Sequence, residues 1–298
     1  MPFTHASSIA SVVADFNGDG RPDIAFATSG ASTNSAFIFM NTPATAAQPT
    51  ITSVIGASAF GAFPAIASGS WIEIYGANLA RDARQWAASD FAGSTTPTAL
   101  DGTSVQVNGK SAVVYYISSQ QVNALVPDGI PAGKASVTVT AGNVTSAPFQ
   151  VNSVSSEPGL LAPASFNIQG KQYVVAQLSD GTYVLPTGAI AGVNSRPAKP
   201  GEVIVIYGIG FGPATNSAQQ VTATGQIASG LTQLTAPFTA AFGSAAADVK
   251  YDGLAPNYVG LYQFNVTMPA VPDSNTVPVT FSVGGAAGAQ TLFTAVHQ

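Results

Sequence analysis

The sequence contains no cysteine, which excludes disulfides, thiolate metal sites and cysteine nucleophiles together. Histidine is nearly absent: His5 and His297 lie near opposite ends of the chain, where neither a Ser-His-Asp triad nor a zinc site is readily built. Charge is scarce. Only 8% of the residues are Asp, Glu, Lys or Arg, against roughly a quarter in an average soluble protein. Nine basic residues against fourteen acidic ones give a net charge of -5, and the spread of the basic ones forms no patch for a phosphate backbone, which argues against nucleic acid as a partner. No apolar run approaches the ~18 residues of a membrane-spanning helix. The opening stretch, MPFTHASSIASVV, lacks a basic region and a long apolar core, so any secretion signal is expected to lie outside this chain.

What is present is apolar and short-ranged. The hydrophobic share is 46% with low net charge, the opposite of a charge-driven disordered chain, and 298 residues suffice for two or three domains. Helical periodicity is almost missing. Short alternating runs such as WIEIY (71–75), SVQVN (104–108), SVTVT (136–140), VIVIYG (203–208) and YQFNV (262–266) are separated by Gly, Pro, Asn, Asp and Ser, the pattern of an all-β protein. For LARDARQWAASDF (79–91) a short helix and an ordered loop both fit.

The chain repeats itself. GSWIEIYGANLA from Gly69 matches GEVIVIYGIGFG from Gly201, and QVNALVP (121–127) matches QFNVTMP (263–269). Two copies of one β-domain account for this. TPATAAQPTITS (42–53) reads as a linker and VSSEPGLLAP (154–163) as a second boundary. In the first copy Trp71, Glu73 and Tyr75 oppose Ile72 and Ile74, which predicts one wet face. In the second, both faces of 203–207 are apolar, so both should be covered, and the extra segment SFNIQGKQYVVAQLSDGTYVLP (165–186), two strands turning at Ser179-Asp180-Gly181, is the candidate cover. GIGFG (208–212) is not a dinucleotide fingerprint, because Pro213 and a polar loop follow rather than a helix; its glycines are expected to serve a strand-end bend, as Gly76 does.

One stretch carries metal chemistry. DFNGDGRPD places Asp15, Asn17 and Asp19 at alternate positions, with the Arg21 carbonyl and Asp23 following and Gly18 and Gly20 permitting a tight curl. Calcium takes about six to eight such oxygens. The closing acid comes earlier than in an EF-hand, and β-like runs flank the loop, so a structural clip is expected rather than a catalytic ion. Other chemistry is thin. Glu73, Asp82, Asp90 and Asp101 offer carboxylates for a glycoside hydrolase. Trp71, Trp86, Tyr115 and Tyr116 offer either packing or a sugar-stacking platform. Asn143-Val-Thr and Asn265-Val-Thr are formal sequons.

Residues 8–42 resemble one FG-GAP/VCBS repeat, the calcium-bearing blade of integrin-type β-propellers, which implies calcium ligands at Asp15, Asn17, Asp19, Arg21 through its carbonyl, and Asp23. Only one such loop is found, so the unit is either the last blade of a truncated propeller or a calcium-clipped hairpin packed on its neighbour. KPGEVIVIYGIGFGP (199–213) and residues 251–285 are similar to a C-terminal domain recurrent in acidobacterial secreted proteins, and residues 51–153 to the IPT/TIG immunoglobulin-like type. The expected architecture is an N-terminal calcium-loop β-hairpin unit (1–45) and two tandem immunoglobulin-like β-sandwiches, 51–153 and 156–298, the latter with an extra N-terminal β segment. The expected protein is bacterial, secreted or on the cell surface, and non-enzymatic. Its expected job is structural or adhesive, self-associating into filaments or a surface layer by strand pairing, or binding a surface or matrix partner. A carbohydrate-binding module and a carboxylate-based glycoside hydrolase are the alternatives.

Overall fold

The structure is a computed structural model that describes residues 7–18, 20–29, 34–41, 47–57 and 63–298. It divides into two compact units, 1–47 and 48–298. Both are β throughout: among the described residues the helical structure is two single turns, Ala88–Asp90 and Ala164–Phe166.

The first unit is an antiparallel meander of β1 (Ser7–Ala14), β2 (Asp23–Ser29) and β3 (Asn34–Phe39). The loop of DFNGDGRPD joins β1 to β2, whose register runs from Ala14 opposite Asp23 back to Ser7 opposite Ser29. Phe26 of β2 stacks on Phe37 and Phe39 of β3, each at 5.4 Å between ring centroids. Alternate residues of a strand point to opposite faces, so these rings hold one face together.

The second unit holds two sandwiches. In the first, β4 (Thr50–Gly56), Trp71–Ala77, Gln121–Leu125, Val113–Ile117 and Arg84–Gln85 form one sheet in that order. The facing sheet is centred on Thr103–Val107, Gly133–Ala141 and Phe149–Ser153. Ile72, Ile74, Val114 and Val122 from one sheet and Val105, Val107, Val137 and Val139 from the other make one buried core. The wet face predicted for Trp71, Glu73 and Tyr75 is half-exposed, while Ile72 and Ile74 are buried. The 79–91 segment is an ordered loop: Asp90 accepts the Ala87 N–H at 2.7 Å and, with Asp101, clamps Arg84, so these side chains close a turn where a helix would need the chain to continue.

The second sandwich repeats the plan around Val203–Ile209, Tyr262–Thr267 and Asp248–Leu254, with a facing sheet of Phe238–Phe242, Ser274–Val283 and Leu292–Val296. Its core is aromatic, Phe264 lying 3.9 Å from Phe238 and 4.6 Å from Phe211 between centroids. The repeated Tyr-Gly has one cause in both copies. Gly76 faces Ile51, and a Cβ on it would stand 1.9 Å from the Thr50 carbonyl oxygen. Gly208 faces Leu160, and a Cβ there would stand 2.9 Å from the Gly159 carbonyl oxygen and 2.5 Å from the Phe211 ring. Close approach of the first strand, and not a bend, requires glycine at these two positions. Gly210 and Gly212 do turn the chain, at φ +76° and +87°.

The extra segment does not lie over both faces of the Val203–Ile209 strand; it extends the sheet at its edge and lines the inner face. Ala176 and Gln177 pair with Ile206 and Val205 along the edge of the Val203–Ile209 strand, and Val203 remains 43% exposed. The registers explain this. Ile51 and Val54 of β4 face Gly76 and Ile74, whereas Leu160 and Ala176 face Gly208 and Ile206. Residues 161–175 are therefore an insertion into the first strand of the second copy, standing where the first copy has residues 52–53. Apolar side chains from the insertion and the chain after it, Val174, Leu178 and Val184, drop into the sandwich core. Phe166, Tyr173 and Leu185 build a smaller core of their own.

Candidate functional site

The acidic loop is held by its own backbone. Asp15 accepts the Gly18 N–H on Oδ1 at 2.7 Å and the Gly20 N–H on Oδ2 at 2.8 Å. Both glycines take the left-handed conformation, φ +76° and +79°, which a side chain would strain. Asp23 is fully buried. Its Oδ2 accepts the Phe16 N–H at 2.9 Å and its Oδ1 the Asn41 N–H at 2.6 Å, so one carboxylate ties the end of β1, the start of β2 and the residues just beyond β3. Asn17 and Arg21 are exposed on the loop. Asp19 lies outside the described residues.

The donor set is of the all-oxygen kind that a hard cation takes, although no group of three or more acidic or histidine side chains is gathered for a metal among the described residues. A buried carboxylate is costly unless its charge is compensated, and Asp23 takes no part in the salt bridges between described residues, which are made by Arg84, Arg196 and Lys250. Two N–H groups occupy only part of the lone pairs of Asp23, since an ionised carboxylate has about four acceptor positions. Oxygen ligands alone, with no nitrogen or sulfur, are what calcium takes.

The aromatic residues meet, but edge to face. Trp71 lies 5.8 Å from both Trp86 and Tyr115, with rings inclined at 73° and 67°. Trp86 lies 5.0 Å from Tyr115 and from Phe91, at 80° and 65°. Such pairs satisfy the ring quadrupoles of each other and leave no flat row for a sugar ring. The indole N–H of Trp71 is used as well, donated to the Val259 carbonyl of the second sandwich at 3.1 Å. Tyr116 stands apart from these ring pairs. Phe91 was not singled out from the sequence; its position in the same segment as Trp86 was the available signal.

The carboxylates are already engaged. Arg84 forks onto Asp101 at 2.5 and 2.8 Å and onto Asp90 at 2.7 and 3.1 Å. These bonds hold both carboxyls below the ordinary carboxylate range, which suits neither for proton donation. Glu73 accepts the Tyr75 hydroxyl at 2.6 Å; burial, and then that bond, push the Tyr75 phenol up to about 12. Asp82 is exposed.

No curated protein matches the chain in sequence. Among solved structures it is similar to the Bacteroides ovatus mixed-linkage glucan utilization locus SGBP-B in complex with a mixed-linkage heptasaccharide, at 10% identity and TM-score 0.36, over 93% of this chain and 52% of that one. It is also similar to the gamma-CGTase of alkalophilic Bacillus clarkii, at 12% identity and TM-score 0.26, over 91% and 31%. A third likeness is to domains 4–9 of the surface layer protein SbsC, at 10% identity and TM-score 0.25, over 92% and 35%. The chain thus spans about half the length of the first of these and a third of the others. The family models place an FG-GAP repeat at residues 8–39 and an IPT/TIG domain at residues 49–156.

Proposed function

We propose that the chain is an extracellular, non-enzymatic structural or adhesive protein whose N-terminal sheet associates with further copies of itself and is stabilised by calcium. One observation carries this reading. Val12 and Val13 are 54% and 63% exposed, and Ile38 and Phe39 54% and 52%. Each pair is adjacent in a strand or nearly so and therefore presents apolar surface on both faces of a three-stranded sheet. Among the described residues β1 and β3 each pair only with β2, and neither carries the charge or proline that usually guards an open edge. Further copies would cover a face by stacking and an edge by strand addition, and a repeating array would cover both. FG-GAP repeats and IPT/TIG domains are non-catalytic folds, which supports the non-enzymatic part.

Calcium would be held by Asp15, Asn17, Asp19 and Asp23 with the Arg21 carbonyl. It supplies positive charge beside the buried Asp23 carboxylate. Because Asp23 also holds Asn41, removing the ion should loosen the sheet beyond the loop. Two measurements test this reading. Sedimentation with calcium present should show concentration-dependent association, and a monomer throughout would count against self-assembly. Chelation should lower the melting temperature of residues 1–45 and leave the two sandwiches folded, an effect absent in Asp23→Ala. A melting profile indifferent to chelator would remove the calcium claim while leaving the assembly claim standing.

A further inference from the structure

The two sandwiches of residues 48–298 meet along a seam to which both contribute side chains, backbone and glycine turns. Trp71 reaches across to the Val259 carbonyl. The buried Thr96 hydroxyl donates to the Gly225 carbonyl at 2.7 Å. Asp128 accepts both the backbone N–H and the hydroxyl of Thr224, at 3.1 and 2.5 Å. Thr95 forms an antiparallel bridge with Gln226, whose side chain meets Ser94 at 3.2 Å. Between these polar ties Val113 and Leu125 of the first sandwich pack with Val259 and Ile227 of the second, under Trp71 and Trp86.

Glycine makes this closeness possible. A Cβ on Gly225 would stand 2.8 Å from the Val113 side chain and 3.0 Å from the Thr96 hydroxyl. One on Gly260 would stand 2.9 Å from the Trp71 indole nitrogen and 3.0 Å from Leu125. Gly69, on the opposite side, comes within 3.3 Å of the Thr224 hydroxyl in the same sense. Flexibly linked domains bury little and share few bonds. Here the Thr96 hydroxyl is buried against the Gly225 carbonyl and the Trp71 indole N–H is half-buried against Val259, so parting the halves exchanges these bonds for water and exposes the apolar contacts of Val113, Leu125, Val259 and Ile227, which is costly.

We propose that residues 48–298 act as one fixed-angle strut, with Trp71 and Thr96 pinning the seam and no hinge between the two halves. Its work is mechanical: it holds whatever is attached at its two ends at a set distance and angle. This stands whether or not the N-terminal sheet self-associates.

The absence of native cysteine makes the test direct. Lys134 and Lys199 are exposed, one on each sandwich. In the full chain, Lys134→Cys with Lys199→Cys accepts a spin-label pair for distance measurement by pulsed electron resonance. The strut predicts one narrow distance distribution and a single thermal transition for both sandwiches. Adding Trp71→Ala with Thr96→Val should broaden the distribution at least about twofold and split the transition in two. Thr224→Val, at a half-exposed position, should broaden it less and serves as the reporter if the double variant does not fold. A broad distribution in the unaltered seam, or a width unmoved in every folded seam variant, overturns the proposal.

Discussion

Replacing Gly76 with alanine tests the structural reason for the repeated Tyr-Gly. The new Cβ would stand 1.9 Å from the Thr50 carbonyl oxygen, 2.9 Å from its carbon and 3.2 Å from the Ile51 Cα. Even favourable carbon–oxygen contacts close to only about 3.3 Å, so the strands must part by more than about 1 Å at this point. The neighbour is backbone, and no rotamer relieves it. The first rungs of the β4 ladder, Thr50 opposite Ala77 and Ile51 opposite Gly76, bear the shift. Two weakened ladder bonds cost about 1–3 kcal/mol, and overpacking adds about 1–3 kcal/mol. The expected loss is therefore about 2–6 kcal/mol. Urea unfolding followed by the emission of Trp71 and Trp86, both on the affected sandwich, reads it. Gly109→Ala is the control: φ is +76° with nothing near the new methyl, so only left-handed strain of about 1–2 kcal/mol applies. If Gly76→Ala is no more destabilising than Gly109→Ala, close approach is not why glycine stands there.

Two further outcomes follow from the same geometry. The bonds from Arg84 hold Asp90 and Asp101 below the ordinary carboxylate range, so their stabilisation is present above that range and lost as pH falls through the folded values. Arg84→Met should therefore flatten the dependence of the urea midpoint on pH below about pH 4, and an unchanged acid limb would refute the clamp. Phe264 is fully buried between Phe238 and Phe211, so Phe264→Ala should cost about 3–5 kcal/mol by calorimetry; a loss below about 1 kcal/mol would mean the aromatic core recloses around the gap.

Legibility in the sequence followed contact range. The duplication was readable because Gly-x-hydrophobic-Ile-x-Ile-Tyr-Gly sets a strand, its inward face and its close-approach glycine within eight positions. The two strand pairings then agree, Tyr75 opposite Gln121 and Tyr207 opposite Gln263. The curl of the acidic loop was readable for the same reason, since Asp15, Gly18 and Gly20 interact locally. The second role of Asp23 was not, because the Asn41 N–H lies 18 residues away. Nor was the seam: Trp71 finds its acceptor 188 residues on, and a tryptophan ready to stack on a sugar looks the same in one sequence as a tryptophan that pins two domains. The segment 165–186 was readable as extra chain but not as an edge insertion, because only the strand register shows that residues 161–175 interrupt the first strand.

The scarcity of charge acquires a structural meaning in the sheet faces. At matching positions of both copies an amide pair lies along the half-exposed face of one strand: Gln121 donates to Asn123 at 2.8 Å, and Gln263 to Asn265 at 2.9 Å. Each side chain satisfies its neighbour within the strand. The amide pair itself meets water without difficulty and carries no charge to desolvate, although in the first copy Glu73 stands opposite Asn123 on the same face. The salt bridges of Arg84, Arg196 and Lys250 lie away from it, at loop and strand positions. The first sandwich spends the apolar end of this same strand pair, Trp71 opposite Leu125, on the seam with the second. In the second copy the matching end, Val203 opposite Thr267, remains partly open, with Val203 exposed. The duplication thus kept the amide pair and diverged at the end of the strand, and that divergence is what lets one copy dock on the other without both copies docking alike.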